Sequence, residues 1–333
     1  MEAEKRGQRR RVTAADVAAR AHVSSTTVGY VLNGTKGQTI SPATTRRVLD
    51  AARELQYQPH RSAQTLARGT SDVVLVVLPD WPSSESFSAA VESASAFLAD
   101  AGLSCVTQVI PPTYHRAVWR SIDPLLVAGV VPFTDEEIQD MHSAGVSHIM
   151  TLMSAERGDS GALQAEHLVG LGHQRLGFAA SADQRMAAVS QSRVEAFTDA
   201  ATRLGAPAPL VRTVSLFDDS AARALEDWRS AGVTAVAGFT DEVAAAVLRA
   251  MHAQGLSAPD DMAVIGHDDT SLARLFTPQL SSVAVDAAAY GRHMASLVLA
   301  TIRGEQHPAP GEALFTLIAR ESTTAMPGTP SGT

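Results

Sequence analysis

The residues of this chain whose types and spacing could do chemistry fall into a catalytic-looking group and a binding-looking group. Gly158-Asp159-Ser160-Gly161 spells the nucleophile segment of serine proteases, in which the serine works with a histidine base and an acidic orienting group. It stands at a strand-to-helix boundary of an alternating α/β pattern, where a Ser or Asp caps the helix, and no matching His/Asp order accompanies it. The eleven histidines show no HExxH or other metal-ligand spacing. The single Cys105 excludes an intramolecular disulfide and a cysteine zinc cluster. In the strand pattern SCVTQVI it is expected to be buried and inert. Gly170-Leu171-Gly172 ends a helix instead of leaving a strand, so it is no dinucleotide loop. The chain is not expected to be an enzyme, and no catalytic residue, metal or cofactor is assigned.

The binding-looking group is smaller. Asp268 and Asp269 follow an apolar strand at 262–266, and one of these adjacent carboxylates is expected to cap the next helix. Arg193 stands early in a helix that follows a strand at 175–180. Its guanidinium can grip a pair of hydroxyls or a carboxylate through two parallel hydrogen bonds, or it can form a surface salt bridge. Ligands in open parallel sheets sit outside the carboxyl ends of strands, and both positions fit that geometry.

These side chains need a scaffold, and the hydropathy pattern supplies one. Short apolar or β-branched runs at 73–79, 104–110, 125–133, 147–152, 175–180, 211–216, 234–239 and 262–266 read as strands. Helical stretches near 85–101, 135–144, 161–171, 185–204, 220–231 and 241–255 separate them. Continuous apolar strands alternating with helices mean parallel sheets covered on both faces. So long an alternating stretch suggests two lobes.

Ahead of that body, VTAADVAARAHVSSTTVGYVLN (12–33) reads as two short helices joined by a tight turn at Ala21-His22-Val23. Thr13 can cap the first, with Asp16 favouring its positive end, while Val17 and Ala18 face inward. Ser24 caps the second, which buries Val28, Val31 and Leu32 and leaves Ser25, Thr26, Gly29 and Tyr30 outside. Short polar side chains on that face suit close approach by another surface. A helix-turn-helix presents this part of its second helix to base edges in the major groove; two helices of an ordinary bundle are the other reading. Ser41-Pro42 starts a third helix, with Pro at the first helical position, running to about Gln56 through Val48, Leu49, Ala52 and Leu55.

A net charge of −8 argues against a nucleic-acid partner until its distribution is considered. Residues 1–68 carry twelve Lys/Arg against five Asp/Glu, net +7, and the remainder fifteen against thirty, net −15. A basic module on an acidic body is the electrostatic footprint of phosphate binding confined to one end. A solvated tail would account for Lys5, Arg6, Arg9, Arg10 and Arg11, but not for Arg46, Arg47, Arg53, Arg61 and Arg68, which recur on expected helices. The N-terminus has no apolar run, so no signal peptide is expected. No segment reaches the ~18 apolar residues that span a bilayer. A cytoplasmic protein is expected.

The order DVA, VS..TV, VLN, TRRVL, Y.P and A..LA over residues 12–68 resembles the lactose-repressor (LacI) family of bacterial transcription regulators, which implies a nucleoid-associated bacterial protein. The resemblance implies a basic arm (1–11), a helix-turn-helix domain (12–58), a hinge helix (59–69), an effector-binding and dimerisation body (70–325) and a disordered tail (326–333). It implies DNA contacts from Thr13, Ser24, Ser25, Thr26, Thr27, Tyr30 and Asn33, and from Arg61, Ala63, Leu66 and Arg68 in the hinge. A helix of about eight residues is marginal alone. In the family it folds on operator, pairs with its mate and inserts a leucine, matched here by Leu66, into the minor groove. A staple of Leu66 onto the body is the other reading. GYVLN replaces the usual SRVLN: Gly29 costs roughly 1 kcal/mol against Ala, and Tyr30 removes a frequent Arg and its bidentate guanine contact. The linker 34–40 is also longer than in the lactose repressor. Both changes imply a different operator sequence.

For the body the resemblance implies a two-lobed shell like periplasmic sugar-binding proteins, with three crossovers. Lobe 1 is expected over 70–157 plus 287–325 and lobe 2 over 158–286, with 315–322 returning to the first lobe. ALQAEHLVGLGHQRLGF matches the family through His167 and His173, both expected to be structural. VIGHDD resembles G-[FY]-D-D and maps a ligand contact onto Asp268; SRVEAF resembles R-x-x-G-F and supports Arg193. Phe217 ends VRTVSLF, after the strand, where members often stack an aromatic on the ligand, and Thr240 in GFTDE stands where they usually carry Asn. PDWPSSESF replaces P-D-x-x-N-P-F-F without the Asn-Pro and one residue longer, leaving Asp80, Ser86 and Phe87 as nearest equivalents. The implied clamp is half kept and half altered. A sugar-like effector is expected, but its identity does not carry over, and no apolar heptad points to a tetramer.

Two functional classes follow. The first is a sequence-specific transcription regulator, a repressor that binds a palindromic DNA operator as a homodimer under control of a small molecule in the cleft. The second is a small-molecule-binding or catalytic α/β protein whose N-terminal helices only pack or dimerise.

Overall fold

The computed structural model describes residues 12–33, 40–57, 71–82, 84–110, 118–152, 158–311 and 313–324. The expected basic arm, hinge and tail lie outside them, and with the hinge Arg61, Ala63, Leu66 and Arg68. The chain divides into two units, 1–72 and 73–333, each considered by itself.

Among its described residues the first unit has the helices α1 (Ala14–Ala21), α2 (Ser25–Asn33) and α3 (Pro42–Glu54). Thr13 and Asp16 form a capping box on α1, Thr13 Oγ1 donating to Asp16 Oδ2 at 2.7 Å. The turn into α2 is made by His22 at φ +53°, a left-handed conformation that closes the helix in the manner of a C-cap glycine. Ser24 Oγ accepts from Thr27 N at 3.1 Å, and Ser41 Oγ accepts from Thr44 N at 3.1 Å ahead of Pro42. Val17, Ala18, Ala21, Val28, Val48, Ala51 and Ala52 make the core, edged by Val31, Leu32, Leu55 and Tyr57.

Among its described residues the second unit carries two sheets. In chain order its elements are β1 (Val73–Pro79), α4 (Glu85–Asp100), β2 (Ser104–Ile110), α5 (Trp119–Ile122), β3 (Leu126–Gly129), α6 (Asp135–Ser143), β4 (His148–Thr151), α7 (Gly158–Gly170), β5 (Leu176–Ser181), α8 (Ala187–Arg203), β6 (Leu210–Val214), α9 (Ser220–Ser230), β7 (Ala235–Gly238), α10 (Asp241–Ala253), β8 (Ala263–Asp268), β9 (Ser281–Val285), α11 (Ala287–Arg303) and β10 (Phe315–Ile318). The first sheet, β2-β1-β3-β4, is all parallel. The second, β10-β9-β8-β7-β5-β6, is parallel except that β10 runs antiparallel to β9. This is a mixed α/β body with an all-α module in front, as the pattern implied.

Three local expectations need correction. The run 125–133 gives a strand only as far as Gly129; Pro132 has no N–H to continue a ladder. Residues 315–318, expected with the first lobe, pair instead with β9, Phe315 opposite Val285. Among the described residues after β9 it is α11 that crosses to the first sheet, where Met294, Ala295, Leu297 and Val298 join Val74, Leu126 and Ala128 in one core. It approaches α4 so closely that a Cβ on Gly291 would stand 2.6 Å from Ser93 Cβ. The third correction concerns Gly158–Gly161, which form the first turn of α7. Ser160 is therefore no cap but a buried residue inside the helix.

Candidate functional site

Two surfaces collect the residues singled out from the sequence. On α2, Ser25 and Thr26 are exposed, while Thr27, Gly29 and Tyr30 are half-buried. The Ser24 and Thr27 hydroxyls bond each other at 2.9 Å. Those of Ser25 and Thr26 carry no hydrogen bond among the described residues, which leaves them available to a partner. Asn33 ends α2, but its side chain lies outside the described residues. Arg46 and Arg47 are exposed on α3. Arg20 and Arg53, by contrast, are paired with Glu54 (2.6 Å) and Asp50 (3.2 Å).

In the second unit a cavity of about 650 Å³ opens at the carboxyl ends of the strands. Six of the seven effector candidates line it: Ser86, Phe87, Arg193, Phe217, Thr240 and Asp268. The seventh, Asp80, is outside the lining and faces Arg185 at 3.8 Å. Ser86 stands in the first turn of α4, its hydroxyl 3.0 Å from that of the capping Ser84. Thr240 caps α10, accepting from Val243 N at 3.4 Å, so its hydroxyl serves the helix as well as the cavity. Phe217 is 96% exposed and meets the cavity only at its mouth.

Arg193 and Asp268 form the charged floor. The guanidinium lies 4.6 Å over the Phe239 ring and donates to Phe239 O, with Asp268 Oδ1 3.9 Å from Nη2. Asp268 also bonds the buried His267 through Nδ1 at 2.9 Å. Neither aspartate caps a helix, contrary to expectation. Asp268 and Asp269 both have positive φ, +96° and +47°, and the following turn Ser271–Arg274 takes Thr270 as its cap residue, without a bond from the Thr270 side chain to the turn's backbone. Asp269 pairs instead with Arg320 at 2.6 Å.

Several lining residues had no distinct signal in the sequence. Trp81 packs against Phe87, ring centroids 5.8 Å apart, and touches the cores of both lobes; Tyr290 comes from the first turn of α11 and Phe315 from β10. Asp183 and Arg185 are bound to each other through two nitrogens, at 3.0 and 2.7 Å. That pairing holds the Asp183 carboxyl below its ordinary range. The lining carries four carboxylates, Glu85, Asp183, Glu242 and Asp268, against two arginines, Arg185 and Arg193. Each arginine faces an aspartate, whereas Glu85 and Glu242 have no cationic partner among the described residues.

The remaining candidates are structural. His167 Nε2 meets Thr323 Oγ1 at 2.8 Å and His173 Nδ1 meets Thr234 Oγ1 at 2.9 Å; burial lowers both pKa values. Cys105 is half-buried on the edge strand β2, and burial pushes its thiol up, away from the reactive thiolate. Among the described residues no helix is long and apolar enough to cross a membrane.

Comparison with known proteins follows the same division. The model of bacterial regulatory proteins of the lacI family matches residues 13–60, and that of a periplasmic binding protein-like domain matches 165–323. The transcriptional regulator CelR of Thermobifida fusca is 28% identical over 327 residues, 90% of this chain and 94% of its own. The repressor CytR of Escherichia coli K12 is 28% identical over 344 residues, covering 95% and 97%. Among solved structures, a lac repressor dimer bound to operator and the anti-inducer ONPF superposes with TM-score 0.76 at 23% identity, over 95% of this chain and all of that one. A CelR–cellobiose complex gives 0.60 at 24% identity, over 94% and 100%. At these identities the structural likeness speaks for the fold.

Proposed function

The chain belongs to the lacI family of bacterial regulatory proteins and is a DNA-binding transcription regulator; we propose that it represses by binding a palindromic operator as a homodimer, with affinity set by a small polyhydroxylated effector in the cleft. One recognition helix covers only a half-site, so a specific operator needs two copies. Ser25, Thr26 and Tyr30 would read base edges, with Thr13, Ser24, Thr27 and Asn33 around them. The hinge residues Arg61, Ala63, Leu66 and Arg68 would supply phosphate and minor-groove contacts.

The observation that carries the effector reading is the Arg193–Asp268 floor, a donor fork beside an acceptor at strand ends, with Trp81 and Phe87 in the same lining. A fork and a carboxylate suit adjacent hydroxyls, and flat aromatic faces suit the apolar face of a sugar ring. CelR was solved with cellobiose, and a cavity of about 650 Å³ has room for a neutral disaccharide. The excess of carboxylates in the lining disfavours phosphorylated or acidic sugars.

The test starts by mapping bound sites of the full chain and measuring affinity for one of them. A dimer on the full operator is expected by analytical ultracentrifugation, with log affinity falling against log salt more steeply than about −3. A monomer on the operator, or a shallower slope, contradicts the proposal. Thr26→Ala should reorder preference among operator variants, while Arg68→Ala weakens all DNA about equally. Leu66→Ala should remove roughly 1–3 kcal/mol of specific affinity, the scale of one mismatched pair.

A further inference from the structure

Behind the cleft floor lies a carboxylate with no place among the expected ligand contacts. Asp241 is the first residue of α10, next to the cavity-lining Thr240, and is 0% exposed. Its Oδ2 accepts from Thr270 N at 2.6 Å and Thr270 Oγ1 at 2.9 Å, and its Oδ1 accepts from Ser282 Oγ at 2.6 Å. Ser282 Oγ in turn accepts from Asp269 N at 3.0 Å. One buried side chain thus joins the start of α10, the turn after β8, and β9. Gly266 on β8 leaves the room for it, because a Cβ there would overlap Asp241 Oδ1.

The joined turn is the one that needs an anchor. Asp268 and Asp269 are consecutive non-glycine residues at positive φ, a conformation that persists only where the surroundings over-determine it. We infer that Asp241 is a positioning residue of the effector site: by holding Thr270 directly and Asp269 through Ser282, it keeps the left-handed turn that aims Asp268 at Arg193. This rests on the reading of the cleft as the effector site.

The chemistry of the anchor makes it sensitive to protonation. All three hydrogen bonds described at Asp241 run toward it, so only the ionised carboxylate accepts them without conflict. Burial pushes its pKa up to about 6, against the pull of the Ser282 and Thr270 bonds, and the like charge of Asp268 adds to the rise. The charged and titratable groups around it are Asp268 at the end of β8, bonded to His267; Asp269 on the turn, paired with Arg320; Glu242 on α10; and Arg193 on α8, held at Phe239 O. β9 contributes Ser282, and α7 contributes Gln164, whose amide donates to Gly238 O and Gly266 O. A proton on Asp241 turns one acceptor into a donor facing a donor. Asp241→Asn does the same at any pH, so the wild type at low pH should behave like that variant at neutral pH.

Hydrogen exchange of the full-length protein without ligand, followed from pH 5 to 8 and corrected for intrinsic rates, tests the anchor. In the wild type the segment 266–283 should exchange about tenfold faster at the acid end, with a midpoint near 6, while α1–α3 stay flat. Asp241→Asn should exchange fast throughout with no midpoint. Ser282→Ala, which keeps the carboxylate but removes one donor, should move the midpoint upward, and covers the case in which Asp241→Asn fails to fold. A flat wild-type profile, protection retained in Asp241→Asn, or an unmoved midpoint in Ser282→Ala overturns the inference. Cellobiose, titrated in parallel through Trp81 fluorescence, should weaken over the same pH window. Cellobiose that binds equally across the window overturns the link from anchor to site. Cellobiose that binds at no pH counts against the effector reading and leaves the anchor to the exchange data.

Discussion

The two walls of the cleft are built by different physics. The second-lobe wall takes Arg193, Thr240 and Asp268 from strand ends and helix starts of a six-stranded sheet, and ties them with part-buried hydrogen bonds to Phe239, His267 and, through the turn, Asp241. The first-lobe wall offers Trp81, Phe87 and Tyr290 on a four-stranded sheet and its two neighbouring helices, with contacts that are largely apolar and side chains half-exposed. Polar groups held in one geometry discriminate between ligands, whereas apolar faces add affinity with little regard to stereochemistry. The second lobe should therefore choose the effector, and the first should close on whatever has been chosen.

The largest expected effect falls on the choosing wall. Arg193→Ala removes a donor fork and leaves Asp268 with its charge uncompensated beside the ligand. Losing hydrogen bonds to a charged group costs about 1.5–3 kcal/mol each, so effector affinity should drop by roughly 100-fold or more. Asp268→Ala should do the same, and both variants should still bind operator, becoming repressors deaf to the effector. Calorimetric titration and operator mobility shifts check the two halves separately. If Asp268→Ala keeps a full response, the floor does not hold the ligand.

Truncating the other wall should cost less. Trp81→Ala and Phe87→Ala each remove an aromatic face worth about 0.5–1.5 kcal/mol beyond its buried area, so losses near tenfold are expected, similar for different sugars. A change of sugar preference in Trp81→Ala, larger than its loss of affinity, would reverse the roles assigned to the walls.

The same contrast decides what could be read from the sequence. Arg193 and Asp268 were legible because each sits in a short motif after a recognisable strand, and a strand end fixes where its neighbours point. The capping of α1, α2 and α3 was legible for the same reason: Thr13, Ser24 and Ser41 act within three residues of themselves. Tyr290 and Phe315 were not, since nothing local in AAAYG or LFTL says which lobe receives them. That blindness also misplaced 315–318, an apolar run whose pairing with β9 is decided by the path of the chain through α11 and back. Asp241 was hidden differently. An acidic residue in a first helical turn reads as a partner for the helix dipole, and only the fold turns it inward to Thr270 and Ser282.

The smallest expected effect lies where the walls meet. Asp80, after β1, faces Arg185 of the second lobe at 3.8 Å, and both side chains are close to half exposed, 46% and 45%. Arg185 is already held by Asp183 at 2.7 Å, so Asp80 adds a second, longer contact to a guanidinium that has its partner. An exposed ion pair of this kind contributes about 0.2–1 kcal/mol, and here it links the lobes across the cleft mouth. Asp80→Asn should therefore shift effector affinity by no more than about fivefold at low salt, on the same scale. The shift should fade toward 1 M salt, where the Debye length of about 3 Å falls below the separation of the charges. Arg193→Ala, whose partner Asp268 is only 12% exposed, should keep its full effect at the same salt. If Asp80→Asn instead matches Arg193→Ala in size and resists salt, then lobe closure is governed from the cleft mouth, and the division of labour between the walls gives way to a latch.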